Sequence, residues 1–144
     1  PVIFGPMLTS RSKVELRDRA IGNLALIAAA GVRVAITTDH PVVPIEQIRL
    51  QAILAVREGL PARTALEALT VNPAAILRLD DRVGALAEGL DGDVVVWSGD
   101  PLDVDSAVER VFIGGKPVLE PADDASSPRV VERWERFGRR SWVG

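Results

Sequence analysis

Apolar positions along the chain change period several times, and each change marks an element. Val2 to Phe4 is a short apolar run that predicts a strand, followed by a loop through "GPMLTSRSK". From Val14 to Ala30, Leu16, Ala20, Leu24, Ile27 and Ala28 recur at three- and four-residue spacing, which predicts a helix stopped by a left-handed Gly31. Val32 to Ile36 is β-branched and uninterrupted, the pattern of a strand buried on both faces. Ile45, Ile48, Ala52 and Val56 then mark a helix closed by Gly59. Pro61 opens a short helix to Leu69, and Asn72-Pro73 reads as an N-cap with proline at N1 of one more helix, to Leu77.

Strand, helix, strand, helices is the order of parallel strands joined by crossovers. Two strands do not make a stable parallel sheet, so this unit requires neighbouring strands from elsewhere. After Leu79 the style changes. Gly89 and Gly92 precede a strand at Val94 to Trp97, and "VERVFIGGKPVLE" places Gly114-Gly115 between two apolar runs, a hairpin signal. This region predicts antiparallel β structure, with a boundary near residues 79 to 82. "PADDASSP", from Pro121, is a linker. Beyond it Val130, Trp134 and Phe137 share one helical face, with arginines around them. That pattern predicts a helical tail docked on its own domain or a sister subunit, in preference to a membrane or RNA.

Composition narrows the function classes. The 144 residues are 47% hydrophobic and 26% charged, enough apolar material for a core. The formal net charge of −3 argues against a general nucleic-acid role, which shows as a basic excess. No apolar run approaches the ~20 residues that span a bilayer, and the opening residues lack a signal-peptide pattern. With no cysteine there is neither a disulfide framework nor a thiolate metal site, and the expected compartment is the cytoplasm. The chain opens at Pro1 directly into an apolar run, so further sequence is expected upstream.

Candidate chemistry gathers in "GVRVAITTDHP", where a buried strand runs into Thr37, Thr38, Asp39 and His40. Loops at the carboxyl ends of parallel strands face shared pockets. Asp39 there could ligate a metal or act as general base, or it could close an Asx-turn or cap the next helix. His40, the only histidine, could be a hydrogen-bonded structural group or an outer partner of a site. A catalytic zinc usually takes three protein ligands. One histidine and no cysteine therefore leave any His-rich metal centre to be completed from outside this chain. Asp91 and Asp93 flank a glycine before a strand and read as turn residues. Glu58 and Glu67 read as solvated helix positions, and Lys116 as a hairpin lysine rather than part of a phosphate loop.

The ordered series "TTDHP", "GLPARTALEALTVNPA", "DRVGALAEGLDGD" and "GDP", followed by "VERVFIGGKPV", resembles the C-terminal part of the metal-dependent amidohydrolases, in their imidazolonepropionase-like and prolidase-like branch. The resemblance covers residues 1 to 119. It implies an α/β chain that is the C-terminal fragment of a (β/α)8 TIM-like barrel, followed by part of a small β-sandwich and a helical tail. The divisions would be residues 1–80 for the last βα units, 81–120 for the sandwich share, and 121–144 for linker and tail. PVIFG would be barrel strand seven and VRVAITTD strand eight.

By the same resemblance, Asp39 would bind a divalent metal, with zinc the first choice and one or two ions, and would act catalytically as proton shuttle. His40 would lie at the pocket edge and meet substrate. The implied activity is hydrolysis of an amide or cyclic-amide C–N bond by a metal-activated water. Its partners would be a small-molecule substrate and the N-terminal portion of the same enzyme, with a homo-oligomer compatible and neither nucleic acid nor membrane involved. Histidines and the bridging acidic or modified lysine group of the family's earlier strands are absent here, so the chain alone is expected to be inactive. Leu90 and Gly92 depart from the lysine and alanine usual in the family, both in the sandwich region. The alternative is a non-catalytic truncated homologue serving as a binding or assembly module. A self-contained α/β regulatory domain would need three paired parallel strands, which the pattern does not provide.

Overall fold

A computed structural model of the chain describes residues 1–8 and 20–119. The architecture is mixed α/β. Strand β1 (Val2–Phe4) precedes helix α1 (Asn23–Ala29) and strand β2 (Val34–Ile36). A 3-10 turn (Ile45–Gln47) leads into α2 (Ile48–Arg57), α3 (Ala62–Leu69) and α4 (Val71–Leu77). Strands β3 (Val94–Trp97), β4 (Val108–Ile113) and β5 (Lys116–Leu119) follow.

β1 and β2 pair in parallel, with Val2 opposite Val34 and Phe4 opposite Ile36. All three residues of β2 are buried, because helices α1 to α4 pack around it. The core consists of Val34, Ile36, Leu24, Leu60 and Met7 with Ala52, Ala55, Ala65 and Ala68. Alanine at these helix positions lets α2 and α3 approach closely without loss of helix propensity. Among the described residues this sheet has two strands and does not close on itself.

Several predicted boundaries shift, each for a local reason. Gly31 stops α1 at φ +77°, with the Val32 N–H donating to the Ile27 carbonyl, as a left-handed C-terminal glycine does. The expected start of α1 at Val14 lies outside the described residues. Within them the helix begins at Asn23, after a turn at Ile21 and Gly22, where glycine disfavours continued helix. The helix expected from Ile45 starts with a 3-10 turn after Pro44, a common way to enter an α-helix. Gly59, at φ +102°, ends the α2 segment.

Asn72 is not the N-cap of α4. The helix begins two residues earlier than expected, at Val71 with Thr70 at the N-cap position, and Pro73 sits in its first turn, where no N–H is needed. The Asn72 side chain instead donates from Nδ2 to the carbonyl of Val34 at 2.9 Å, tying α4 to β2.

β3, β4 and β5 form an antiparallel sheet in that order. The Gly114-Gly115 turn has φ +56° and +73°, the two positive values a tight two-residue hairpin needs. Asp93 accepts the Gly114 N–H at 2.8 Å, and Asp91 pairs with Arg82 at 2.7 Å, so both aspartates hold turns in place. Arg63 and Glu67 pair at 2.9 Å along α3, and Lys116 lies exposed at the start of β5. Val130, Trp134, Phe137 and the linker at 121–128 lie outside the described residues. No helix among the described residues is long and apolar enough to cross a membrane.

Arg49 of α2 joins the helical unit to the β3–β4 connection. Its Nε donates to the Pro101 carbonyl at 2.7 Å, and a terminal nitrogen donates to the carbonyls of Asp103 and, at 2.9 Å, Ser106. The guanidinium also lies 4.7 Å from the centre of the Trp97 ring. Three carbonyls and an aromatic face match a planar five-donor cation in a way that a lysine could not. Arg49→Ala is expected to lower stability by about 1–3 kcal/mol in urea denaturation, with Arg49→Lys recovering less than half of the loss. A neutral result for Arg49→Ala would show that this clasp does not hold the two parts together.

Candidate active site

The carboxyl end of β2 is built as a rigid platform. Pairing with β1 continues one residue past the strand, with the Thr37 N–H donating to the Phe4 carbonyl at 3.0 Å. Thr38 is buried. The chain then turns at Asp39, whose φ of +52° is left-handed, a conformation that aspartate adopts more readily than most residues. Two bonds hold this turn: the Asp39 N–H donates to Thr37 Oγ1 at 3.1 Å, and the Val42 N–H donates to the Asp39 carbonyl at 2.8 Å.

Among the described residues, the backbone of Asp39 is therefore engaged while its side chain is not. Asp39 is exposed, and its carboxylate makes no hydrogen bond or ion pair with any described residue. An Asx-turn or capping role would place a backbone N–H on that carboxylate, and none is there. His40 is exposed beside it and has no bond to Asp39. Adjacency in the chain, rather than a direct contact, is what brings the two together.

Two residues that the sequence reading passed over complete the platform. Gly5 follows β1 at φ +151°, and a Cβ there would lie 1.9 Å from the Thr37 carbonyl oxygen. Only glycine allows the β1 exit to lie against the residue that supports Asp39. Gln51 of α2 is fully buried, and its Oε1 accepts the Met7 N–H at 2.5 Å, anchoring the loop after β1. Its Nε2 has no partner among the described residues. A glutamine on the face shared by Ala52 and Ala55 interrupts an otherwise apolar stripe, and that interruption was the available signal.

The donor set does not make a metal centre. Among the described residues no group of three or more His, Asp or Glu converges as a metal cluster would. Asp39 can contribute one carboxylate oxygen donor, and His40 is the only imidazole of the chain. These residues fit a single edge of a metal site and not the site itself.

The sequence pattern of the amidohydrolase family matches residues 2–119. This chain belongs to the amidohydrolase family. The amidohydrolase tasK of Hapsidospora irregularis is 36% identical over 93 residues, 65% of this chain and 10% of that protein. An imidazolonepropionase of Cupriavidus taiwanensis is 34% identical over 109 residues, 72% of this chain and 24% of that protein. Among solved structures, an amidohydrolase from Thermotoga maritima MSB8 superposes with a TM-score of 0.80 at 47% identity, covering 84% of this chain and 32% of that one. A Xaa-Pro dipeptidase with bound methionine in its active site superposes at 0.62 with 25% identity, over 70% and 25% of the two chains. The family's reach also includes a 5-methylthioadenosine/S-adenosylhomocysteine deaminase of Desulforudis audaxviator, 39% identical over 87 residues, 54% of this chain and 20% of that protein. The chain thus spans a tenth to about a quarter of these curated relatives and a third of the Thermotoga structure.

Gly5→Ala is expected to destabilise the fold by on the order of 2–3 kcal/mol, because the added methyl meets backbone rather than a movable side chain. Thermal unfolding followed by circular dichroism checks this; an unchanged midpoint would mean that the β1 exit can move away from Thr37 at little cost.

Proposed function

We propose that this chain is the C-terminal part of a metal-dependent hydrolase that cleaves a C–N bond of an amide or cyclic amide. The observation that carries the reading is the Asp39 carboxylate, left without a partner among the described residues on a backbone held from two sides, at the carboxyl end of a buried parallel strand. That placement costs the fold a left-handed residue and contributes no side-chain bond to the described residues in return, which a purely structural aspartate would not require.

In this reading the divisions are the last βα units of a barrel in residues 1–80, the C-terminal share of a β-sandwich in 81–120, and a linker with tail in 121–144. β1 and β2 are the seventh and eighth barrel strands. The remaining strands and metal ligands come from segments of a longer polypeptide, in keeping with the share of the relatives that this chain spans. A bound divalent metal, zinc as first choice, would supply Lewis-acid activation of the attacking water. Asp39 would be one of its ligands, and its other oxygen would hold the proton lost by that water and pass it to the leaving nitrogen. His40, exposed on the next residue, would meet the substrate at the pocket rim.

The imidazolonepropionase and dipeptidase relatives favour hydrolysis at an amide carbon. The deaminase relatives use the same family frame on an amino group, so a panel of amides, cyclic amides and aminopurines separates the two.

In the longer protein carrying this chain, Asp39→Asn is expected to lower kcat/KM by on the order of 10²–10⁴ while leaving the unfolding midpoint within a degree or two. His40→Ala is expected to act mainly on KM. The 144-residue chain by itself is expected to hold substoichiometric zinc by elemental analysis and to show no turnover. Full activity of the Asp39→Asn protein removes Asp39 from the chemistry. A longer protein with neither metal nor turnover makes the chain a binding or assembly module.

A further inference from the structure

Of the two bonds that hold the Asp39 turn, only one is made by a side chain. The Val42 N–H donates to the Asp39 carbonyl from backbone to backbone, a bond that any residue but proline at position 42 would supply. The Asp39 N–H donates to Thr37 Oγ1 at 3.1 Å, and that acceptor exists only because residue 37 carries a hydroxyl. No bond from a described residue reaches the Asp39 carboxylate. Within this chain the backbone at Asp39 therefore sets where its Cα–Cβ bond points.

We propose that Thr37 is a positioning residue for Asp39: its hydroxyl holds the left-handed turn that presents the carboxylate, and its methyl, seated against Gly5, holds the hydroxyl. The proposal rests on the reading of Asp39 as a metal ligand and proton carrier.

The methyl is placed by a close approach. A Cβ on Gly5 would come within 2.9 Å of Thr37 Cγ2, so the methyl lies in space that the glycine leaves open. Threonine is stiff at χ1, and fixing Cγ2 fixes Oγ1 one staggered position away. The hydroxyl is also carried on a firm base. The Thr37 N–H donates to the Phe4 carbonyl at 3.0 Å, which ties Thr37 to the strand pair and not to the turn that it supports. The turn in its place needs that support. Asp39 has φ +52°, and a residue other than glycine stays in that region only where its surroundings hold it. Thr37 is half-buried and Asp39 exposed, so the support is sheltered while the supported group faces outward.

Two substitutions separate the hydroxyl from the packing. Valine keeps a methyl against Gly5 and removes the acceptor of the Asp39 N–H. Serine keeps the hydroxyl and gives up the contact with Gly5.

In the longer protein carrying this chain, turnover is measured on amides, cyclic amides and aminopurines for Thr37→Val, Thr37→Ser, Asp39→Asn and Thr37→Val combined with Asp39→Asn. Thr37→Val is expected to lower kcat about 10- to 100-fold and to change KM by less than about threefold. Thr37→Ser is expected to stay within about fivefold of the unaltered protein. Adding Thr37→Val to Asp39→Asn is expected to cost nothing further, because both act through one carboxylate. A second readout needs neither metal nor turnover. Backbone amide relaxation by NMR, on the metal-stripped protein, is expected to give Asp39 an order parameter of about 0.85, falling below about 0.6 in Thr37→Val.

Full kcat or an unchanged Asp39 order parameter in Thr37→Val overturns the proposal; with Asp39→Asn inactive in the same assays, the reading of Asp39 still stands. Equal losses in the valine and serine variants, or a further loss on top of Asp39→Asn, overturn it too and assign Thr37 to packing. Full activity of Asp39→Asn, or no turnover by the unaltered protein, removes the reading and the proposal together. Should Thr37→Val fail to fold, Thr37→Ala decides between the same outcomes.

Discussion

The parallel pairing of β1 with β2 is the constraint on which the candidate site rests. It extends past the strands through the Thr37 N–H and the Phe4 carbonyl, and it brings Gly5 so close to the Thr37 carbonyl that no side chain fits between them. Asp39 then turns out of the sheet on a support fixed from both sides. Two backbone bonds, Thr37 N–H to the Phe4 carbonyl and Val42 N–H to the Asp39 carbonyl, and the glycine contact hold this turn without using the Asp39 carboxylate.

Packing reinforces the same point from beneath. Four helices surround β2, and polar ties attach the loops to them: Gln51 holds the loop after β1, and Asn72 holds the Val34 carbonyl. Arg49 extends the connection from α2 to the β3–β4 loop through three carbonyls and the Trp97 ring. The helix that follows the Asp39 turn is thereby joined both to the β1 loop and to the antiparallel sheet.

Similarity to the relatives is concentrated in the region that this framework organises. The matched residues, 2–119, include the two parallel strands, the Asp39 turn, the helices and the β hairpins. The Thermotoga amidohydrolase shares this arrangement closely, at a TM-score of 0.80. Relatives named for different activities, among them an imidazolonepropionase and a deaminase, each match more than half of this chain. Likeness in this C-terminal frame therefore does not by itself fix one reaction.

Much of the secondary structure was legible from local pattern, since local chemistry dictates it. The β-branched run at Val34–Ile36, the left-handed stop at Gly31 and the Gly114-Gly115 hairpin each depend on a few adjacent residues. The roles of Asn72, Gly5, Gln51 and Arg49 were not legible in this way. Asn72 has the chemistry of a helix cap, and only the nearness of Val34 makes it a tie between layers. Gly5 matters because Thr37, distant in sequence, passes within a methyl radius of it. Asp39 shows the same division within one residue: the sequence determined that a carboxylate ends a buried strand, and only the tertiary structure decided that its turn is closed by backbone and by Thr37 Oγ1, with no bond from a described residue to its carboxylate oxygens. Local pattern specifies backbone conformation because its interactions span a few residues, whereas a side chain's partner is whatever the fold brings beside it.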